Sequence, residues 1–148
     1  LPAADIEMSS KIIADSVYGC AGQRCLAAST IITVGDEKRD KKDAIYETVK
    51  SRTTGYGLDS GVDMGPVITQ ESKQRIEGLI QQGVDEGANV LLDGRNASIS
   101  GFESGNFLTP TILENVALDK ALIKTEIFGP VMSLISMSSI EQAIAFVN

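Results

Sequence analysis

Three short apolar segments, separated by helical patterns, constrain the fold of this 148-residue chain more than any other feature. They cover residues 29–34, 89–93 and 131–135. The first is rich in β-branched residues and is continuous rather than alternating, which is typical of a strand covered on both faces. We therefore predict an α/β fold, a three-layer domain in which helices flank a mostly parallel sheet.

Apolar residues at helical spacing predict the helices that precede and follow the first strand. The first helix carries a stripe at every fourth residue, with Asp5 as its candidate N-cap. The stripe consists of Met8, Ile12, Ser16 and Cys20. The charged run over residues 36–43 leads into a second helical pattern. We interpret this run as the solvated start of that helix, with a docking patch as the alternative.

The second half of the chain predicts two further helices and one extended segment. Thr69 is the candidate N-cap of a helix that ends near Gly87, and Ser138 with Glu141 forms a capping box for the last helix. The expected inner face of that last helix is Ile140, Ala143, Ile144 and Val147. Residues 107–113 contain Pro110, which predicts an extended piece at the edge of the sheet.

Composition excludes several classes of function. The net charge of -7 argues against a nucleic-acid partner, because such proteins need a basic surface. No apolar run approaches the ~20 residues of a membrane span, so we expect no membrane partner. Two cysteines and no histidine exclude a four-ligand zinc site and any Cys-His or Ser-His-Asp catalysis built from this chain alone, and we predict no metal site.

Cys25 lies in a glycine-flanked bend between the first helical pattern and the first strand. A cation beside a thiol favours the nucleophilic thiolate, and Arg24 is the adjacent candidate. The alternative is a small apolar residue packed in the core, which free cysteines often are. Cys20, five residues earlier, is interpreted as a passive helix residue, with a redox partner of Cys25 as the alternative.

Glu126 and Phe128 lie two residues apart, just before a glycine-proline turn and the third strand. On extended backbone such residues share one side, so they could present a carboxylate and a ring to one ligand. The alternative is a strand-entry turn in which Phe128 is part of the core and Glu126 is solvated.

Four motifs, in this order and at these separations, resemble the aldehyde dehydrogenase superfamily. They are residues 22–27 (GQRCLA), 63–68 (DMGPVI), 107–112 (FLTPTI) and 126–131 (EIFGPV). Arginine directly before the cysteine, with residues 92–95 (LDGR) and 105–107 (GNF), is most similar to the CoA-acylating methylmalonate-semialdehyde dehydrogenase branch.

The resemblance implies that residues 1–148 are a segment of the catalytic domain, and that the NAD-binding domain lies outside this chain. It makes Cys25 the nucleophile, which forms a thiohemiacetal and then a thioester with an aldehyde. Arg24 would bind a substrate carboxylate, Glu126 the hydroxyls of the nicotinamide ribose, and Phe128 the nicotinamide end. NAD is the implied cofactor and coenzyme A the implied acyl acceptor.

Further expectations follow from the same resemblance. The substrate would be a small semialdehyde, and the full-length protein a homo-oligomer in the cytoplasm, or in the mitochondrial matrix of a eukaryote. The alternatives are an NAD(P)-dependent aldehyde dehydrogenase that hydrolyses the thioester, or, for the isolated chain, a non-enzymatic α/β interaction module. The first residue, Leu1, and the end at Asn148 within a helical pattern lead us to expect a piece of a longer protein.

Overall fold

The computed structural model of the chain describes residues 1, 3–35 and 38–148. Five α-helices and four strands follow one another within these ranges, with a short 3-10 turn, Gly19–Gly22, after the first helix. In chain order they are α1 (Ile6–Tyr18), β1 (Thr30–Val34), α2 (Lys38–Lys50), α3 (Gln70–Asp85), β2 (Asn89–Leu92), β3 (Thr111–Glu114), α4 (Ala121–Lys124), β4 (Val131–Met137) and α5 (Ile140–Val147). The predicted start of the second helix at Asp36 and Glu37 lies outside the described residues.

The four strands form one mixed sheet in the order β1-β4-β3-β2. β1 runs parallel to β4 with Thr30 beside Ser133, and β4 runs parallel to β3 with Val131 beside Thr111. β2 pairs antiparallel with β3, and its register shifts between Val90 and Leu92. The predicted α/β fold with a mostly parallel sheet is therefore confirmed.

Helices cover both faces of the sheet. On one side, Ile31 of β1 lines a cavity with Ile13 of α1 and Ile45 of α2. On the other, Thr30 lines a cavity with Phe146 of α5. Because successive side chains of a strand point to opposite faces, β1 separates two helical layers. The core includes fully buried side chains from α3, β3 and β4, and each aliphatic one stabilises the fold by about 1.5–3 kcal/mol. Among them are Ile76, Ile80, Ile112, Leu113, Val131 and Met132.

The predicted stripe of the first helix was wrong. Met8 and Ile12 are 58% and 60% exposed, and α1 ends at Tyr18, so Cys20 lies beyond the helix. A step of four residues turns 400°, so three such steps drift about 120° around the helix. The buried face instead follows the three-and-four spacing that keeps residues on one side. It consists of Ser10, Ala14, Val17 and Tyr18.

Two further predictions need correction. β3 is an interior strand, because Pro110 precedes its first residue and β2 occupies the edge beyond it. The last helix has its N-cap at Ser139, whose side chain accepts from the Gln142 N–H, and not at Ser138. Its expected inner face is exposed: Ile144 is 54% and Val147 is 71% accessible.

Tyr18 ties α1 to the sheet, since its hydroxyl donates to the carbonyl of Thr111 at 2.8 Å in the buried interior. Burial raises the pKa of the Tyr18 phenol well above its usual range, and the positive charge of Arg52 lowers it by less. On unfolding, the phenol meets water and titrates near its ordinary pKa of about 10. The stabilising effect of the neutral phenol is therefore complete below that pH and is lost as the pH rises.

Tyr18→Phe is expected to lower the free energy of unfolding by about 1 kcal/mol at pH 7, since one buried hydrogen bond is lost. Above pH 10, the wild-type chain should lose about 1.4 kcal/mol per pH unit through this phenol, and the variant should not. Urea unfolding at pH 7 and pH 11 measures both effects. Tyr56→Phe, at an exposed tyrosine, should change the stability at pH 7 by less than about 0.5 kcal/mol. Equal alkaline slopes for wild type and Tyr18→Phe would contradict this account.

Candidate active site

The bend that carries Cys25 begins directly after α1. Cys20, Ala21 and Gly22 have φ angles of 53°, 54° and 68°, so three successive residues adopt the left-handed conformation and reverse the chain. The Gln23 N–H then donates to the Cys20 carbonyl at 3.1 Å, and the Ala27 N–H to the Arg24 carbonyl at 3.0 Å. Cys25 therefore lies within the second of two consecutive turns, as the sequence predicts.

The Cys25 side chain is exposed, which contradicts the alternative of a cysteine packed in the core. Within the part of the chain that the structure describes, the Cys25 N–H donates to no protein acceptor. An accessible sulfur and an available amide hydrogen are what thiol addition to a carbonyl requires, because the amide can stabilise the oxygen that becomes negative.

The side chain of Arg24 turns back towards α1. Its Nη2 donates to the carbonyl of Asp15 at 2.7 Å and to that of Ser16 at 3.4 Å, and its guanidinium lies against Gly19. Cations favour the carbonyl end of a helix, so Arg24 stabilises the last turns of α1. Its Nε and Nη1 make no hydrogen bond to any residue that the structure describes, and remain available to a carboxylate.

The segment 125–130 joins α4 to β4 and carries the predicted acid and aromatic residue. Glu126 is exposed and Phe128 is half-buried. The prediction of extended backbone was wrong at Phe128, whose φ of 49° is left-handed. That conformation costs a non-glycine residue about 1–2 kcal/mol and persists only when its surroundings hold it.

The cysteine bend and the 125–130 segment pack directly against each other. A Cβ atom on Gly22 would lie 2.1 Å from the carbonyl oxygen of Gly129, so the two backbones touch where a side chain would not fit. A small cleft of about 60 Å³ opens beside this contact, and it brings Arg24, Glu126 and Phe128 together. Cys25 lies in the bend that forms one wall of the cleft and does not itself line it.

The other two motifs join the same region. The side-chain oxygen of Gln23 accepts the Ile68 N–H at 3.0 Å, and the Val67 N–H donates to the Asn106 carbonyl at 3.0 Å. The Thr111 N–H donates to the Pro130 carbonyl at 2.9 Å. All four motifs therefore meet at the amino ends of the parallel strands β1, β3 and β4.

Two residues that contact the site were not predicted from the sequence. Gln23 ties the 63–68 motif to the cysteine bend, and Arg75 of α3 donates to the backbone carbonyls of Glu126 and Ile127. Gln23 lies within the 22–27 motif, so the family resemblance could have identified it as a site residue. Arg75 precedes the buried Ile76 on an amphipathic helix, and nothing in that pattern distinguishes it from a solvated charge.

The model of the aldehyde dehydrogenase family matches residues 1–148. The chain belongs to this family. Among its relatives, the mitochondrial acylating methylmalonate-semialdehyde dehydrogenase of Arabidopsis thaliana is 43% identical over all of this chain and 24% of its own length. The malonate-semialdehyde dehydrogenase of Halalkalibacterium halodurans is 37% identical over all of this chain and 30% of its own length. The resemblance of this sequence to the aldehyde dehydrogenases is thereby confirmed.

Solved structures agree with this assignment to the aldehyde dehydrogenases. A Sinorhizobium meliloti protein in complex with NAD, provisionally named a methylmalonate-semialdehyde dehydrogenase, has a TM-score of 0.93 and 37% identity over 98% of this chain and 30% of its own. The methylmalonate-semialdehyde dehydrogenase of Oceanimonas doudoroffii has a TM-score of 0.93 and 28% identity over 99% of this chain and 30% of its own. The chain thus spans less than a third of the length of these relatives.

Neither a membrane-spanning helix nor a metal-binding cluster occurs in the described residues. None of the helices in residues 3–35 and 38–148 is long and apolar enough to cross a membrane. Nor do these residues place three or more Cys, Asp or Glu side chains where they could hold a metal ion.

Proposed function

We propose that this chain is the catalytic segment of an NAD-dependent, CoA-acylating semialdehyde dehydrogenase of the methylmalonate-semialdehyde type. The observation that carries the proposal is the exposed Cys25 on a bend whose backbone packs against the segment bearing Glu126 and Phe128. Similarity to acylating methylmalonate-semialdehyde dehydrogenases, at 43% identity in the plant relative, supports the choice of branch.

Cys25 is the nucleophile in this mechanism. Its sulfur adds to the aldehyde carbon to form a thiohemiacetal, and the carbonyl oxygen takes the negative charge beside the Cys25 N–H. A preorganised donor of this kind contributes roughly 3–4 kcal/mol to the rate. Loss of hydride converts the adduct to a thioester on the same sulfur, so one difficult transfer becomes two easier steps. NAD, when bound, accepts the hydride, and coenzyme A supplies the thiol that releases the acyl group.

Arg24 binds the substrate carboxylate beyond the aldehyde. Its Nε and Nη1 have no other acceptor within the described chain, while its Nη2 is held by α1. Anchoring Nη2 restricts rotation of the guanidinium, and the Nε and Nη1 groups can each donate a charge-assisted hydrogen bond to a carboxylate oxygen.

Glu126 and Phe128 form the nicotinamide side of the site. The exposed carboxylate of Glu126 accepts no hydrogen bond from the residues the structure describes, so it is available to ribose hydroxyls. The half-buried ring of Phe128 offers an apolar surface in the same cleft. These features fit the reactive end of a nicotinamide nucleotide, and we propose that its remaining contacts come from an NAD-binding domain outside this chain.

The assembly and compartment are part of the same proposal. The full-length protein is a homo-oligomer that acts on a small semialdehyde. It works in the cytoplasm, or in the mitochondrial matrix if the source is a eukaryote; the word mitochondrial in the name of the plant relative supports the second case.

A second candidate keeps the same cysteine chemistry but releases the acyl group to water. A Staphylococcus aureus betaine aldehyde dehydrogenase in complex with NAD+ has a TM-score of 0.92 and 30% identity over 98% of this chain, so the fold is shared by enzymes named for other aldehydes. This candidate, another NAD(P)-dependent aldehyde dehydrogenase, differs from the first in the acyl acceptor and leaves the aldehyde open.

The acyl acceptor is tested on the full-length protein with methylmalonate semialdehyde, NAD and added or omitted coenzyme A. We expect steady-state NADH formation to depend on coenzyme A, and mass spectrometry to find an acyl-CoA thioester as the product. Free acid formed at the same rate without coenzyme A would favour the second candidate. Absence of NADH with every semialdehyde tested would reject the proposed dehydrogenase and leave, for the isolated chain, the interaction module.

A further inference from the structure

Arg75 and Ile76, consecutive residues of α3, both contact the segment between α4 and β4. Ile76 is fully buried, and a Cβ atom added to Gly129 would lie 2.5 Å from its Cδ1. Arg75 Nη2 donates to the carbonyl of Ile127, and Nη1 to the carbonyl of Glu126 at 3.5 Å. One turn of α3 therefore holds this segment by packing at Gly129 and by hydrogen bonds at Glu126 and Ile127.

These hydrogen bonds act on the backbone of the two proposed nucleotide-binding residues. The carbonyl of Glu126 belongs to the peptide unit that follows that residue, and the carbonyl of Ile127 lies in the same peptide plane as the nitrogen of Phe128. The φ angle of Phe128 is the rotation about its N–Cα bond, measured from this peptide plane. Holding the plane in place therefore helps to maintain the left-handed φ of Phe128. Within the described chain, no other group donates to either carbonyl.

The positive charge of the Arg75 guanidinium makes its hydrogen bonds to this segment stronger than hydrogen bonds between neutral groups. Hydrogen bonds from a guanidinium are shorter and stronger than those between neutral groups, and its planar fork can reach two carbonyls at once. A neutral side chain at position 75 would leave both carbonyls without a protein donor and the unfavourable conformation of Phe128 less well supported.

We propose that Arg75 is a positioning residue for nicotinamide nucleotide binding, which holds Glu126 and Phe128 in place through the carbonyls of Glu126 and Ile127. The inference rests on the proposed function, since it assigns a purpose to the geometry of the 125–130 segment. Arg75 acts through the backbone of its neighbours and takes no part in the chemical steps.

The test compares Arg75→Met with wild type in the full-length protein. We expect the Kd and KM for NAD to rise about tenfold, because a charge-assisted pair of hydrogen bonds is lost. The KM for the aldehyde should stay within about twofold, since Arg24 and Cys25 are untouched. Arg75→Lys keeps the charge without the planar fork and should show a rise in the Kd for NAD of about threefold.

Hydrogen exchange gives a readout that does not require NAD. The amides of residues 126–129 and 131 should exchange faster in Arg75→Met than in wild type. Arg95→Met is the matched control, since the Arg95 guanidinium bonds Asp93 and Gln81 and no part of the segment. It should leave both the exchange and the Kd for NAD unchanged.

Several outcomes would overturn the inference. An unchanged Kd for NAD in Arg75→Met would do so, as would unchanged exchange over residues 126–131. Equal effects of Arg75→Met and Arg95→Met would show a general loss of stability instead. If Arg75→Met fails to fold, Arg75→Lys decides, and a wild-type Kd for NAD in that variant would reject the positioning role. A wild-type protein that does not bind NAD would refute the proposed function, while the exchange comparison would still decide whether Arg75 holds the segment.

Discussion

Replacing Cys25 by serine in the full-length protein is expected to lower kcat for aldehyde oxidation by at least about a thousandfold. A serine hydroxyl is a far weaker nucleophile than a thiolate at neutral pH. Steady-state NADH formation measures the loss. Retention of the acyl group on the protein, seen by mass spectrometry when the acyl acceptor is omitted, should disappear in the same variant.

Cys20→Ser is the matched control for this substitution. Cys20 is the other exposed cysteine and lies in the same bend, but it begins the first of the two turns, whereas Cys25 lies in the second. We expect its kcat to stay within about threefold of wild type, as for a surface change outside the reacting groups. Near-normal turnover by Cys25→Ser would reject the assigned nucleophile. Comparable losses in both variants would point to damage of the bend and not to lost chemistry.

Gly22→Ala is expected to lower the free energy of unfolding by about 3 kcal/mol, from a left-handed φ and a steric clash together. The added Cβ would lie 2.1 Å from the carbonyl oxygen of Gly129 and 2.5 Å from its carbonyl carbon. Both are backbone atoms, so no side-chain rotation can relieve the clash. The cysteine bend and the 125–130 segment must then move apart. Urea unfolding of the chain measures the loss of stability.

Substitutions at two other glycines separate the two causes of this loss of stability, the backbone strain and the steric clash. Gly61 has a φ of +82° with no atom within 4 Å of an added Cβ, so Gly61→Ala isolates the backbone strain at about 1 kcal/mol. Gly57 has open space and no such φ, so Gly57→Ala should change stability by less than about 0.5 kcal/mol. A cost for Gly22→Ala no greater than that for Gly61→Ala would contradict the close contact with Gly129.

β1 and β4 could be predicted from local sequence because each lies in a short segment in which apolar and β-branched residues dominate. β1 and β4 occur where residues 29–34 and 131–135 predict them. The faces of the helices were harder to predict. A four-residue stripe drifts around α1, and most of the apolar side of α5 stays exposed, with Ile144 54% and Val147 71% accessible. The position of β3 depended on where β2 pairs, and strand order is not encoded in either segment alone.

The candidate site was predictable only in parts. A cysteine that follows two closely spaced glycines indicated a bend, and a ligand-facing turn was one of two interpretations of Glu126 and Phe128. Their meeting depends on the contact of Gly22 with Gly129, 107 positions apart in the sequence, and was expected only from the family resemblance. Arg75 reaches carbonyls 51 and 52 positions away, and such a side-chain-to-backbone bond leaves no periodic trace in the sequence.

The convergence of the four motifs at the amino ends of β1, β3 and β4 has a consequence for catalysis. In open α/β sheets, nucleotide phosphates usually bind beyond the opposite ends of the strands, where helix N-termini supply amide donors. The pyrophosphate would then be held by another part of the protein, while this chain meets only the reactive tip of the nucleotide. Binding of the nucleotide phosphates and the reaction at the cysteine would then depend on different parts of the protein. The sulfur and the nicotinamide would come within reach of each other only when those parts are correctly assembled.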